Sequence, residues 1–245
     1  MTKTRISWET VFSADHQPKK VIGRKRRYRT LPGTFPTAKA ASGLIRTRLP
    51  LMMDGLVHLD THPDVEAVAE YPLETSYWSQ HHATGRFLKR DHVPDLAFRV
   101  RGGAITLVDF VPYNIQVEQV GFDLYVAQRR QHYQDEYAVD YIVYDERQIH
   151  AQPRFYNVNL MWSHKATRFE RYSNPAKELL VAVPRPLSIE NLARLMVKAG
   201  HSSTEMAETD AFTAAMRMCM DGSATIDMSK RLNMSSEISR VGGCR

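Results

Sequence analysis

Two apolar runs, Asp95-Leu-Ala-Phe-Arg-Val100 and Ile105-Thr-Leu-Val-Asp-Phe-Val111, are separated by the short sequence Arg101-Gly-Gly103. Alternation at period two on either side of glycines that tolerate positive φ specifies an antiparallel strand pair joined by a tight turn. Each strand also carries an acid. Asp95 follows Val93-Pro94 at the opening of the first, and Asp109 is embedded in the second. Taken singly, both acids have ordinary explanations: a turn role after proline for Asp95, an arginine partner or a sheet edge for Asp109.

The flanking segments extend this pair into a domain. From Thr37 the spacing of Ala40, Ala41, Leu44, Ile45 and Leu49 predicts a helix, interrupted at Pro50 and resumed to about Thr61. Val65–Tyr71 and Leu73–Trp78 alternate as half-buried strands do, His81-His82-Ala-Thr-Gly-Arg86 reads as a hairpin turn, and Phe87–Arg90 continues as a strand. Gln116–Gln134 suits an amphipathic helix and Ala138–Tyr144 a buried strand. The fold class predicted for residues 37–150 is therefore α/β, a central mixed sheet flanked by helices.

Residues 1–36 read as a basic arm, punctuated by Pro18, Gly23, Pro32, Gly33 and Pro36. Residues 151–185 read as a connector, with basic and aromatic side chains interleaved. Residues 186–245 read as a small winged-helix or generic helical module: Ser188 caps a helix ending at Gly200, a second runs from about Thr204 to Met220, and Ala224–Met228 is a short strand. Met216, Met218 and Met220 are most simply core filling.

Charge is distributed unevenly. Residues 1–50 hold twelve Lys/Arg against Glu9 and Asp15, a balance of +10, whereas the whole chain carries +6. The densest part comprises Lys19, Lys20, Arg24, Lys25, Arg26, Arg27 and Arg29. Like charges this close repel unless an anion neutralises them, so contact with the nucleic-acid backbone is the reading favoured over a solvated tail. No apolar run of about 18 residues is present to span a membrane. The N-terminal residues have no secretory h-region, and Cys219 and Cys244 cannot by themselves build a disulfide framework or a zinc site. A reduced, cytoplasmic, DNA-binding chain is the expectation.

Metal-dependent phosphodiester hydrolysis gives the two acids a joint meaning. Paired carboxylates hold a hard divalent cation such as Mg²⁺, which polarises the phosphate and lowers the pKa of a bound water. A lysine two residues beyond the second acid returns to the same strand face and steadies the developing charge. Here that position is Val111. His81, His82 and His92 are a weaker metal candidate, because adjacent turn histidines point apart. Gln116 and Glu118 could approach the site from the start of the following helix.

The order of these motifs resembles the TnsA-type transposon endonucleases of the PD-(D/E)XK restriction-endonuclease-like superfamily. The resemblance rests on Thr61-His-Pro-Asp-Val65, Tyr71-Pro72, Val93-Pro-Asp-Leu96, Leu107-Val-Asp-Phe-Val111 and Tyr141-Ile-Val-Tyr-Asp-Glu146, across residues 37–150. It implies Asp95 as the metal-binding aspartate, Asp109 as the second acid and Val111 at the lysine position. The family's helix glutamate falls near Met52, where the acidic residue nearby is Asp54. It also implies DNA, a transposase or other recombination subunit, and a second copy of the chain as partners. Three functions stay open: a non-cutting DNA-binding member of that group, an active Mg²⁺-dependent endonuclease with a displaced basic residue such as Lys89 or Arg90, and a winged-helix DNA-binding regulator.

Overall fold

Residues 37–49 do not form the helix that their apolar spacing predicts. In the computed structural model, which describes residues 6–20, 31–165, 170–183 and 185–241, a short helix α1 (Trp8–Val11) precedes an antiparallel hairpin of β1 (Gly33–Pro36) and β2 (Leu44–Thr47). Gly43 at φ 74 and the bond from the Thr37 amide to the Gly43 carbonyl (3.0 Å) close the connection. What looked like a helical face is an alternation that buries Ile45 and Thr47 and turns Leu44 and Arg46 outward. Pro50, in turn, does not interrupt a helix. It opens α2 (Pro50–Thr61), at the helix start where its missing N–H costs nothing.

The contacts divide the chain into two units, residues 1–60 with 64–150, and residues 61–63 with 151–245. In the first, β3 (Val65–Glu70) is followed by β4 (Thr75–Gln80) and β5 (Phe87–His92), then β6 (Leu96–Val100) and β7 (Ile105–Phe110). The helical stretch expected over 116–134 is two helices, α3 (Tyr113–Glu118) and α4 (Phe122–Tyr137), separated by Gly121 at φ 78. A Cβ on Gly121 would lie 2.7 Å from His82 Cβ, so both its angle and its packing require glycine. β8 (Asp140–Tyr144) and α5 (Glu146–Ile149) complete the unit.

β3, β6, β7 and β8 form one sheet in that order, antiparallel except for the parallel β7–β8 pair, which α4 connects as a crossover helix. One face packs Ala97, Leu107 and Tyr141 against Tyr133 of α4. On the other side Gly55 of α2 lies so close to the sheet that a Cβ there would sit 2.1 Å from the Phe110 ring, so helix and strand meet backbone to ring. β4 and β5 pair with each other in a separate ribbon.

In the second unit the segment read as a connector is helical: α6 (Arg154–Ser163) and α7 (Glu170–Ala182). Leu180 and Ala176 of α7 and Met161 of α6 belong to one core with the residues that follow. Those are β9 (Leu187–Ser188), α8 (Ile189–Lys198) with Ser188 as its N-cap, α9 (Ala207–Met220), β10 (Ala224–Ile226) and β11 (Glu237–Arg240). β11 lies between β10 and β9, antiparallel to both. Met216 and Met218 are fully buried, as core filling requires.

Candidate functional site

Leu96 pairs with Val108 in the β6–β7 ladder, so the next residues outward, Asp95 and Asp109, stand opposite each other where the two strands part. Each carboxylate then takes up the backbone of the other strand. The Asp95 amide donates to Asp109 Oδ1 at 3.1 Å, and the Phe110 amide donates to Asp95 Oδ2 at 3.0 Å. Both acids are buried, at 2% and 6% exposure. Carboxylates so far from water need compensating charge, and this chain supplies it from three elements.

Arg48 directly follows β2 and faces the same way as Arg46, two residues earlier. Arg46 Nε donates to Glu70 at 2.6 Å, and Arg48 grips Asp95 bidentately, Nε to Oδ1 and Nη2 to Oδ2, both at 2.6 Å. Arg48 Nη2 also donates to the Phe110 carbonyl at 2.6 Å. Asp109 Oδ2 receives His92 Nε2 from β5 at 2.8 Å, Arg129 Nη1 from α4 at 2.9 Å, and the Tyr141 hydroxyl from β8 at 2.5 Å. The Tyr133 hydroxyl lies 2.6 Å from His92 Nδ1, which fixes the imidazole from behind.

The electrostatics follow from these partners. Burial pushes the Asp109 carboxyl up, but the His92 and Arg129 charges and the Tyr141 hydroxyl outweigh it and hold the group well below the usual carboxylate range. For Asp95 burial prevails, aided by the neighbouring Asp109 charge and opposed by Arg48, so its carboxyl is raised. Burial and the Asp109 charge likewise raise the Tyr141 hydroxyl, which therefore donates and does not ionise.

A divalent cation needs carboxylate lone pairs that point into a shared space. A carboxylate offers about four such sites. Asp109 Oδ2 takes three donors and its Oδ1 one, and Asp95 receives three, so the pair fits a metal ion poorly unless a guanidinium leaves first. Among the described residues no group of three or more His, Cys, Asp or Glu is disposed to hold a metal.

The remaining candidates lie elsewhere. The Val111 amide bonds to the Tyr144 carbonyl at 3.0 Å, and the cation that meets Asp95 is Arg48. Arg90 Nε donates to Ser79 and its guanidinium lies over the Tyr125 ring, while Lys89 is exposed, so neither approaches the acids. His82 bonds to Tyr125 and stacks on His81, apart from His92. Asp54 of α2 pairs with His150 at 2.8 Å. Gln116 bonds to the Val111 carbonyl and to Asp145, which caps α5.

Of the basic cluster, Lys19 and Lys20 are described; Arg24, Lys25, Arg26, Arg27 and Arg29 lie outside the described residues, as does Cys244. The Lys19 amide donates to the Tyr71 carbonyl at 2.9 Å, and Lys20 Nζ is 5.5 Å from the centre of the Tyr71 ring. The Tyr71 amide in turn donates to the Asp95 carbonyl at 3.1 Å. On the far side of the cluster, the Leu31 amide donates to the Arg48 carbonyl at 2.8 Å. The described residues flanking the basic stretch are thus both tied to the surroundings of Asp95.

Sequence reasoning missed Arg48, Arg129, Tyr133 and Tyr141. The Arg46-x-Arg48 spacing was the available signal for the first, since period two places both guanidinium groups on one side of β2. No helix among the described residues is long and apolar enough to cross a membrane. No family model matches the chain, and no curated protein matches it.

Proposed function

We propose that this chain is a DNA-binding, non-cutting relative of the TnsA-type transposon endonucleases, working in the cytoplasm within a transposition, recombination or regulatory complex. One observation carries the reading: the two acids face each other across β6 and β7, as the resemblance expects of a metal site, yet their oxygens accept from Arg48, Arg129, His92 and the Tyr141 hydroxyl. The element order supports the ancestry. A helix (α2), three antiparallel strands (β3, β6, β7), a crossover helix (α4) and a parallel strand (β8), with the β4–β5 ribbon interposed, are elements that a restriction-endonuclease-like domain would need.

Arg48 does not restore catalysis on this reading. A guanidinium stays protonated at any working pH, so it cannot serve as the base that activates water, and Arg48 already donates from Nε and Nη2 to Asp95. A regulator reading DNA through a recognition helix is also less well supported. α7, β9, α8, α9, β10 and β11 follow a winged-helix order, but α9 is mostly buried and its first turn carries Glu208 and Asp210. That module suits a protein partner better than a major groove, where acids repel phosphate.

DNA contact then falls to the basic stretch Arg24–Arg29, whose sequence carries five cations in six residues. Gel-shift measurements over a salt series test this, comparing the wild type with a variant in which Arg24, Lys25, Arg26, Arg27 and Arg29 are serine. Removing one cation from a phosphate flattens the plot of log K against log salt by about 0.9, so losing all five is expected to make the slope shallower by about 4.5. A slope unchanged by the substitution refutes phosphate binding through these residues.

A further inference from the structure

The β4–β5 ribbon has two unlike faces. Thr75, Tyr77 and Ser79 point inward and are buried, with Tyr77 stacked on His132 and its hydroxyl bonded by Arg129 of α4. The outer face carries Ser76, Trp78 and Gln80, paired in register with Asp91, Lys89 and Phe87. Trp78 is 67% exposed and Phe87 63% exposed, unusual for the two largest apolar side chains on the ribbon. They are diagonal neighbours across the strand pair, within reach of one ligand.

The charges around these rings are cationic. Between Thr75 and His92 the chain has Arg86, Lys89 and Arg90 against Asp91. Asp91 accepts from Ser76 Oγ at 2.6 Å, and Arg90 is committed to Ser79 and Tyr125. Arg86 and Lys89 are exposed and bond through their side chains to no described residue. Two open aromatic rings beside the uncommitted Lys89, with Arg86 exposed in the adjoining turn, match one ligand chemistry in particular: unpaired bases strung on phosphate, where every base offers a stacking face and each phosphate a charge. A protein partner of comparable fit would need acidic side chains interleaved with its apolar ones.

We propose that the outer face of this ribbon is a stacking platform for single-stranded nucleic acid, with Trp78 and Phe87 taking bases and Lys89 taking an adjoining phosphate. The inference rests on the DNA-binding reading above and deepens it, since it names the form of nucleic acid and a second binding surface.

Fluorescence anisotropy with an oligothymidylate of about twenty nucleotides, longer than the usual single-strand site size, tests it against a duplex of equal length. Loss of stacking is expected to weaken single-strand binding on the order of tenfold for each of Trp78→Ala and Phe87→Ala. Duplex affinity and the urea midpoint should stay nearly constant, because both side chains face solvent. Lys89→Ala should flatten the salt dependence of single-strand binding. If the wild type binds DNA and the double variant binds the oligothymidylate as tightly, the platform is refuted while DNA binding stands. If the wild type binds neither form, both readings fall. Should the wild type self-associate and the double variant become monomeric with unaltered DNA affinity, the ribbon is a protein interface and the proposal is wrong.

Discussion

Arg48→Met is expected to lower the unfolding free energy by about 3–5 kcal/mol at neutral pH, the usual cost of stranding one member of a buried ion pair. The size follows from asymmetry in exposure. The Asp95 side chain retains 3% of its surface and Arg48 20%, so the guanidinium could find water on leaving but the carboxylate cannot. Methionine restores the packing of the stem and none of the charge. Combining it with Asp95→Asn should recover most of the loss, since the buried group is then neutral; the coupling in that double-mutant cycle measures the pair directly. Chemical denaturation of the four proteins checks this. A cost for Arg48→Met below about 1 kcal/mol, typical of a surface pair, contradicts the account.

Asp109→Asn is the second large effect, and it carries a pH signature. Asp109 holds its folded-state pKa below the unfolded value of about 3.9. A depressed acid contributes stability that is present above its unfolded pKa and lost as pH falls through the folded one. The wild type should therefore lose stability progressively below about pH 5, and the asparagine variant should show a flatter acid limb. Asp95 acts in the opposite sense, because its carboxyl is raised, and it does so in both proteins, so the difference between their acid limbs reports on Asp109. At pH 7 the variant should lose about 3 kcal/mol, since Arg129 and His92 lose the charge that both approach. Stability curves of equal acid slope for the two proteins refute the assignment.

How far this architecture was legible in the sequence depended on whether the signal was local. The β6–β7 pair was readable because alternation and a Gly-Gly turn lie within one short stretch, and the register that sets Asp95 opposite Asp109 follows from the turn. β1 and β2 were not. Ala40, Ala41, Leu44, Ile45 and Leu49 match a helical face as well as they match a turn followed by a strand, and the glycine that decides, Gly43, tolerates either. The helices α6 and α7 were hidden by interleaved basic and aromatic residues that suggested a surface.

The site divided along the same line. Both acids were visible as residues, whereas their partners come from after β2, from β5, from α4 and from β8, separated by up to 47 residues in the chain. No spacing rule reaches across such distances. Position 111 is Val111, so the sequence shows no cation on the strand beside Asp109 and understates the charge around the acids. Cations reach the acids from distant elements instead, Arg48 from after β2 and Arg129 from α4.

Nicking of supercoiled plasmid in Mg²⁺ or Mn²⁺ tests the central claim most directly, with the folded Asp95→Asn variant as the background. The locked acid pair predicts that the wild type produces no more nicked product than the variant at any concentration of either metal. Metal-dependent nicking by the wild type that disappears in Asp95→Asn would contradict it, because the carboxylates would then be releasing Arg48 and Arg129 to take up a cation.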